Sequence, residues 1–112
     1  MKAPNLSRKL VLEDPVQVSD DAGGLTTTWT PLGVHWAQIT PGTGRERLDS
    51  SLPRSIIPLR ILVRASPVSS TARPHAGQRF VEGARVFNII AVTEKDLTGR
   101  YLTCHAEEEV TT

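Results

Sequence analysis

Side chains able to do chemistry are few and far apart in this 112-residue sequence, and their spacing excludes more than it suggests. The single cysteine, Cys104, cannot form an internal disulfide or a zinc cluster, so a cysteine framework is excluded and a reducing compartment is permitted. His35, His75 and His105 are widely separated, and none stands at metal-ligand spacing from another ligand. His105 follows Cys104 on a stretch that alternates as a strand, where neighbours point to opposite faces, so it cannot activate the thiol. An isolated cysteine in such a place reads as a small buried hydrophobe. A Cys104 nucleophile served by a distant histidine stays as the enzymatic alternative. Gly42-Thr43-Gly44-Arg45 resembles a phosphate-cradling loop only loosely, lacking the Gly-Lys-Ser/Thr ending and a following apolar helix. No catalytic constellation, metal or cofactor is expected.

Charge is more informative than chemistry. The net charge is +1, but residues 45–85 hold eight arginines against three acidic groups, while residues 86–112 hold five acidic groups against two basic ones. Arg45, Arg47 and Arg54 fall in one Gly- and Pro-containing stretch, and Arg60 and Arg64 share a strand face just after it. Such a set could meet phosphates, which supports a free-standing nucleic-acid-binding domain as one alternative. Aromatic interleaving is missing, since Trp29, Trp36, Phe80, Phe87 and Tyr101 all lie outside the basic stretch. The competing use of these arginines is protein contact, for which Arg60, Arg64, Glu107, Glu108 and Glu109 are candidate inter-subunit or partner positions.

The elements that must position these residues are short strands. Leu10 and Leu12 alternate with Lys9, Val11 and Glu13; Pro15 is expected to interrupt the run, and Val16 and Val18 resume it. Asp20-Asp21-Ala22-Gly23-Gly24 supplies residues that tolerate positive φ and predicts a hairpin. Leu25 to Thr30 and Val34 to Thr40 read as strands separated by a break at Pro31-Leu32-Gly33. Residues 41–54 lack a strand face and read as a long loop, a feature small domains keep for a task. Ser55 to Arg64 alternates again, with Pro58 predicting an edge or a bulge. Ala65 to Gln78 reads as a linker, Arg79 to Val81 and Arg85 to Thr93 as strands, and Arg100 to Glu107 as the last strand before a polar tail, 107–112. Seven or eight short strands with regular turns predict an all-β fold, a small single-domain β-barrel over residues 1–112. No stretch approaches the roughly 20 apolar residues of a membrane helix. Met1 to Lys9 is polar, so neither membrane insertion nor a secretory signal is expected.

Several segments, in order, resemble one family. Asp20 to Trp29 is similar to a "D-x-x-G-G-x-x-x-x-W" hairpin, Val34-His35-Trp36-Ala37-Gln38-Ile39 to a "V-W-A-x-I" strand, and Gly44-Arg45-Glu46 to a "G-x-E" loop start. Gly83 to Val92 resembles a "G-R-x-Y/F-x-I" strand, and Leu6 to Glu13 and Arg100-Tyr101-Leu102 resemble the opening and closing strands. Together they resemble the head-tail joining proteins of tailed phages, also called head closure or stopper proteins, and their relatives in gene transfer agents. Ser66 to Gln78 departs from the family's shorter "I-x-P-G-x-R" link, keeping only Gly77 and Arg79.

The resemblance implies a non-enzymatic component of a virion or phage-like particle, assembled in the bacterial cytoplasm. It implies a homo-oligomeric ring, expected to be six-fold, between a portal-adaptor ring above and a tail terminator or tail tube below. Packaged double-stranded DNA would fill the lumen. Tail terminator and adaptor rings are the alternative tiers. Residues 41–54, with Arg45, Arg47 and Arg54, are the candidate channel-facing loop. The arm Met1 to Ser7 and the tail Glu107 to Thr112 are candidates for exchange between subunits.

Overall fold

Alternation with a period of two runs through nearly the whole chain, and it decides which residues face inward. The computed structural model describes residues 3–42, 47–48, 54–95 and 98–111. Among them are seven strands and no helix: β1 (Arg8–Ser19), β2 (Leu25–Pro41), β3 (Arg47–Leu48), β4 (Arg54–Arg64), β5 (Arg79–Glu82), β6 (Arg85–Glu94) and β7 (Tyr101–Thr111). Every pairing is antiparallel, and the order β2-β1-β5-β6-β7-β4 returns to β2, so six strands close into a ring. The short β3 pairs with the start of β4. Closure removes the sheet edges that would otherwise invite aggregation.

The core is the inner register of this ring. Leu10 and Leu12, Ala37, Ile61 and Val63, Phe80, Phe87 and Ile89, and Leu102, Cys104 and Ala106 are all buried, each two residues from the next on its strand. Such a core explains how a chain with only five aromatic residues folds without staples. Phe80 and Phe87 are cross-strand partners and form its largest fully buried pair.

Two expected breaks are absent. Pro15 pairs with Trp29 inside a continuous β1, because only β2 borders β1 at that point and the missing N–H disrupts no second ladder. Pro31-Leu32-Gly33 does not end a strand either. It is a bulge in β2, with Gly33 opposite Leu12 and Pro31 opposite Glu13, which leaves Leu32 as the extra residue. Gly33 has φ +136°, a conformation that favours glycine.

Pro58 is not at a sheet edge. It pairs with Glu107 on one side, and on the other its carbonyl accepts the Gly42 N–H at 3.0 Å. Its absent N–H faces the gap where β2 ends and before β3 begins, which is why proline is tolerated there. The segment expected to be a polar tail is the second half of β7, which pairs with β4 to Thr111. The expected linker is also ordered. Within residues 65–78, Ser70 N–H donates to Pro67 O and Ile89 N–H to Gln78 O, and Pro74 is fully buried.

Candidate functional site

One end of the closed sheet is stoppered by charge. The inward alternation of Leu12 and Leu10 continues to Arg8, that of Phe80 to Glu82, that of Ile89 and Phe87 to Arg85, and that of Cys104 and Ala106 to Glu108. Four charged residues therefore meet where β1 and β6 begin, β5 ends and β7 runs on. Arg8 Nε donates to Glu82 Oε2 at 2.7 Å, and Arg85 grips Glu108 through Nε and Nη2 at 2.7 and 2.8 Å. Arg85 also approaches Glu82 at 3.9 Å and lies 5.0 Å from the centroid of Phe87. The hydrogen bond from Arg8 holds the Glu82 carboxyl below its ordinary pKa. Glu108 is buried in this network, so it cannot serve as a free partner position. The period-two pattern was the signal for this cluster, had the alternation been followed past the last apolar residue of each strand.

The long segment leaves from this same end. Gly42 sits against β4 so closely that an added Cβ would fall 2.9 Å from the Pro58 carbonyl carbon. Beyond it, Arg47 and Leu48 return to pair with Ile56 and Ser55, so the stretch expected to lack strand structure contains β3. Arg45 and the side chains of Arg47 and Arg54 lie outside the described residues. Pairing of β4 with β7 sets Ile56, Ile57 and Pro58 opposite Glu109, Glu108 and Glu107. The acidic run therefore lies beside uncharged residues of β4, and it meets the basic zone through the Arg85–Glu108 pair.

Arg60 and Arg64 point outward from β4, as their alternation with buried Ile61 and Val63 requires. Arg60 is not at an edge, because β2 and β7 flank β4 over Leu59 to Val63, whereas Arg64 lies one residue past the pairing with β2 and is paired with β7 alone. Any contact Arg60 makes is therefore through the face of the sheet and not by strand addition. Arg64 lies 6.0 Å from the centroid of Tyr101, its cross-strand partner.

The opposite end is covered by residues 65–78. Half-buried His35 bonds through Nε2 to Ala72 O at 2.7 Å and meets Phe80 edge-on at 5.7 Å. Burial lowers its pKa, with the Ala72 carbonyl opposing, so the ring is held neutral. Gln78 Nε2 donates to Asp14 Oδ1, tying this cover to β1. Cys104 is buried beneath, and desolvation pushes its thiol up to about 12, so it carries no thiolate at neutral pH.

From this second end the distal halves of β1 and β2 project as a two-stranded ribbon. Pairing of β1 with β5 stops at Glu13, and pairing of β2 with β4 starts at Ala37. The root is braced by Arg79, which bonds Glu13 at 2.7 Å and stacks 4.0 Å above Trp29. The tip is the expected hairpin. Asp20 Oδ1 accepts the N–H groups of Ala22 and Gly24, both at 2.9 Å, which lowers its pKa, and Asp21 and Gly23 take positive φ.

The family model for phage head completion protein matches residues 1–109. No curated protein matches the chain. Among solved structures, a chain of the "Virion of native gene transfer agent (GTA) particle" is similar at 47% identity, with a TM-score of 0.86, over 98% of this chain and 100% of that one.

Proposed function

Because the chain belongs to the phage head completion protein family, we propose that it closes the head of a phage-like particle as a structural, non-enzymatic connector. The observation that carries this reading is the end-to-end likeness to a chain of a gene transfer agent virion. In this reading copies form a six-fold ring between a portal-adaptor ring and the tail terminator or tail tube. Segment 41–54 faces the DNA channel.

The geometry supports that division of labour. The closed sheet is stoppered at both ends by its own residues, so its interior is neither a ligand cavity nor a conduit. Function is left to what lies outside that interior: the ribbon at one end, and the segment that leaves the sheet after Gly42 at the other. Arg45, Arg47 and Arg54 lie on the segment assigned to DNA, where contact with phosphates would release counterions and weaken with salt.

Complementation of particles tests the reading. Heads assembled without this chain should fail to join tails and should lose DNA, and adding the full chain should restore both. A chain with segment 43–53 replaced by a short turn should restore joining but not DNA retention. Tails that join normally to heads lacking the chain would overturn the proposal.

A further inference from the structure

The ribbon and one outer face of the closed sheet are unlike surfaces of the same chain, and each has what the other lacks. Residues 14–30 hold three aspartates and no lysine or arginine. Their apolar side chains are exposed on both faces: Val16 and Val18 on one, and Leu25, at 71% exposure, on the other. A two-stranded ribbon of this kind has little stability of its own, and β-branched residues exposed on both faces favour a partner.

The second surface lies on the outer side of the closed sheet, where β1 and β2 run on from the ribbon. Just past the Ala37–Val63 pair, Trp36 and Arg64 stand on the outer side of the sheet, with Lys9 across from Trp36 and Tyr101 across from Arg64. Trp36 is 54% exposed, and Val34 beside it is 49% exposed. Neither Lys9 nor Arg64 makes an ion pair among the described residues. Tryptophan, tyrosine and arginine are the side chains that most often dominate binding energy at protein contacts.

We infer that the acidic ribbon of one copy docks on the Lys9–Trp36–Arg64–Tyr101 face of the next. Charge complementarity selects this occupant: an apolar element carrying only negative charge meets an aromatic face carrying positive charge. Reach permits it, because the β1 side of the ribbon runs six residues past Glu13, about 20 Å at strand spacing. The two surfaces differ, so the contact is head-to-tail and repeats from copy to copy, closing into a ring where the rotation allows. This inference deepens the connector reading and rests on it for its setting.

Sedimentation of the full chain over a range of concentrations tests it, with folding checked by circular dichroism. Asp21→Asn with Ala22→Lys, Thr26→Lys and Thr28→Lys takes residues 14–30 from −3 to +1 while keeping Asp20 in its turn, and Lys9→Glu with Arg64→Glu reverses the face. Each set should weaken self-association at least about tenfold, and the chain carrying both sets should recover to within about threefold of the parent. Reversal of the face without effect would overturn the head-to-tail assignment, as would failure of the combined variant to recover. A parent chain that stays monomeric up to about 1 mM would overturn it as well. The connector reading is judged separately by particle complementation, so failure here leaves that result to stand or fall alone.

Discussion

The two ends of the closed sheet differ in how they treat charge. At the end that gives rise to segment 43–53, Arg8, Glu82, Arg85 and Glu108 neutralise one another across four strands. At the other end the cover bonds through His35, Arg73, Gln78 and the backbone of residues 65–78, the Arg79–Glu13 ion pair braces the ribbon's root, and residues 14–30 beyond it hold acidic groups with no cation of their own. The first end is finished within the chain. The second finishes its interior but leaves a projecting surface unmatched. In a connector, the finished end is suited to hold a segment in register, and the unfinished one is suited to meet another molecule.

Both ends depend on the same core, so the largest expected effect removes the difference between them. Phe87→Ala should cost about 3–5 kcal/mol, a large share of a small domain's stability, read as a fall in the urea midpoint. Hydrogen exchange should rise at both ends together. Retention of protection at one end alone would show that the ends fold as separate units.

Gly42→Ala and Arg85→Ala should separate the ends. The alanine Cβ at position 42 would lie 2.9 Å from the Pro58 carbonyl carbon and 3.0 Å from Leu59 N, so β2 and β4 must part locally. A cost of about 1–3 kcal/mol is expected, with faster exchange near Leu59 but not near Ala72. Arg85→Ala strands the Glu108 carboxylate, whose side chain is only 10% exposed, at a cost of about 1–3 kcal/mol at neutral pH. Glu82, whose pKa is lowered, contributes stability above its unfolded value, and that contribution is lost as pH falls through the folded value. The Arg8 hydrogen bond is the largest cause of that lowering, so the gap between Arg8→Ala and the parent should narrow in acid. A gap independent of pH would mean that Arg8 contributes through its packing and not through the Glu82 carboxylate.

His35 gives the covered end its own pH response. Its folded pKa is lowered by burial, so the unfolded chain binds the proton more readily, and stability falls as pH drops below about 6.5 toward the folded value. Exchange near Ala72 should rise over that window while exchange near Glu108 does not. His35→Gln should remove the response.

How much of this was legible follows from the period of two. The strand alternation placed the core from Leu10 to Ala106 and set Arg60 and Arg64 on an outer face. Asp20 to Gly24 declared its hairpin because positive φ needs those residue types. Prolines mislead: Pro15 reads as a break and Pro58 as an edge or a bulge until the side each nitrogen faces is known, and both sit where no donor is required. The acidic run 107–109 misled for another reason. A charged strand end looks like a solvated tail until the register shows Glu108 facing Arg85. Pairing of β6 with β7 is a long-range fact that local pattern could not supply, and it decides where Arg85 and Glu108 meet.

The smallest expected effect is the sharpest test of the difference between the ends. Replacing residues 16–28 by a two-residue Asn-Gly turn between Pro15 and Trp29 removes most of the ribbon but spares its braced root, the Arg79 contacts with Glu13 and Trp29. The residues removed are exposed and touch no part of the core, so thermal stability should change by no more than about 0.5 kcal/mol. The shortened chain should fold as the parent does yet lose self-association. A large loss of stability would instead show that the ribbon supports its own sheet, and the contrast between a finished and an unfinished end would disappear. A segment that adds nothing to the fold of one copy, yet exposes valine and leucine to water, is best accounted for by what it does between copies.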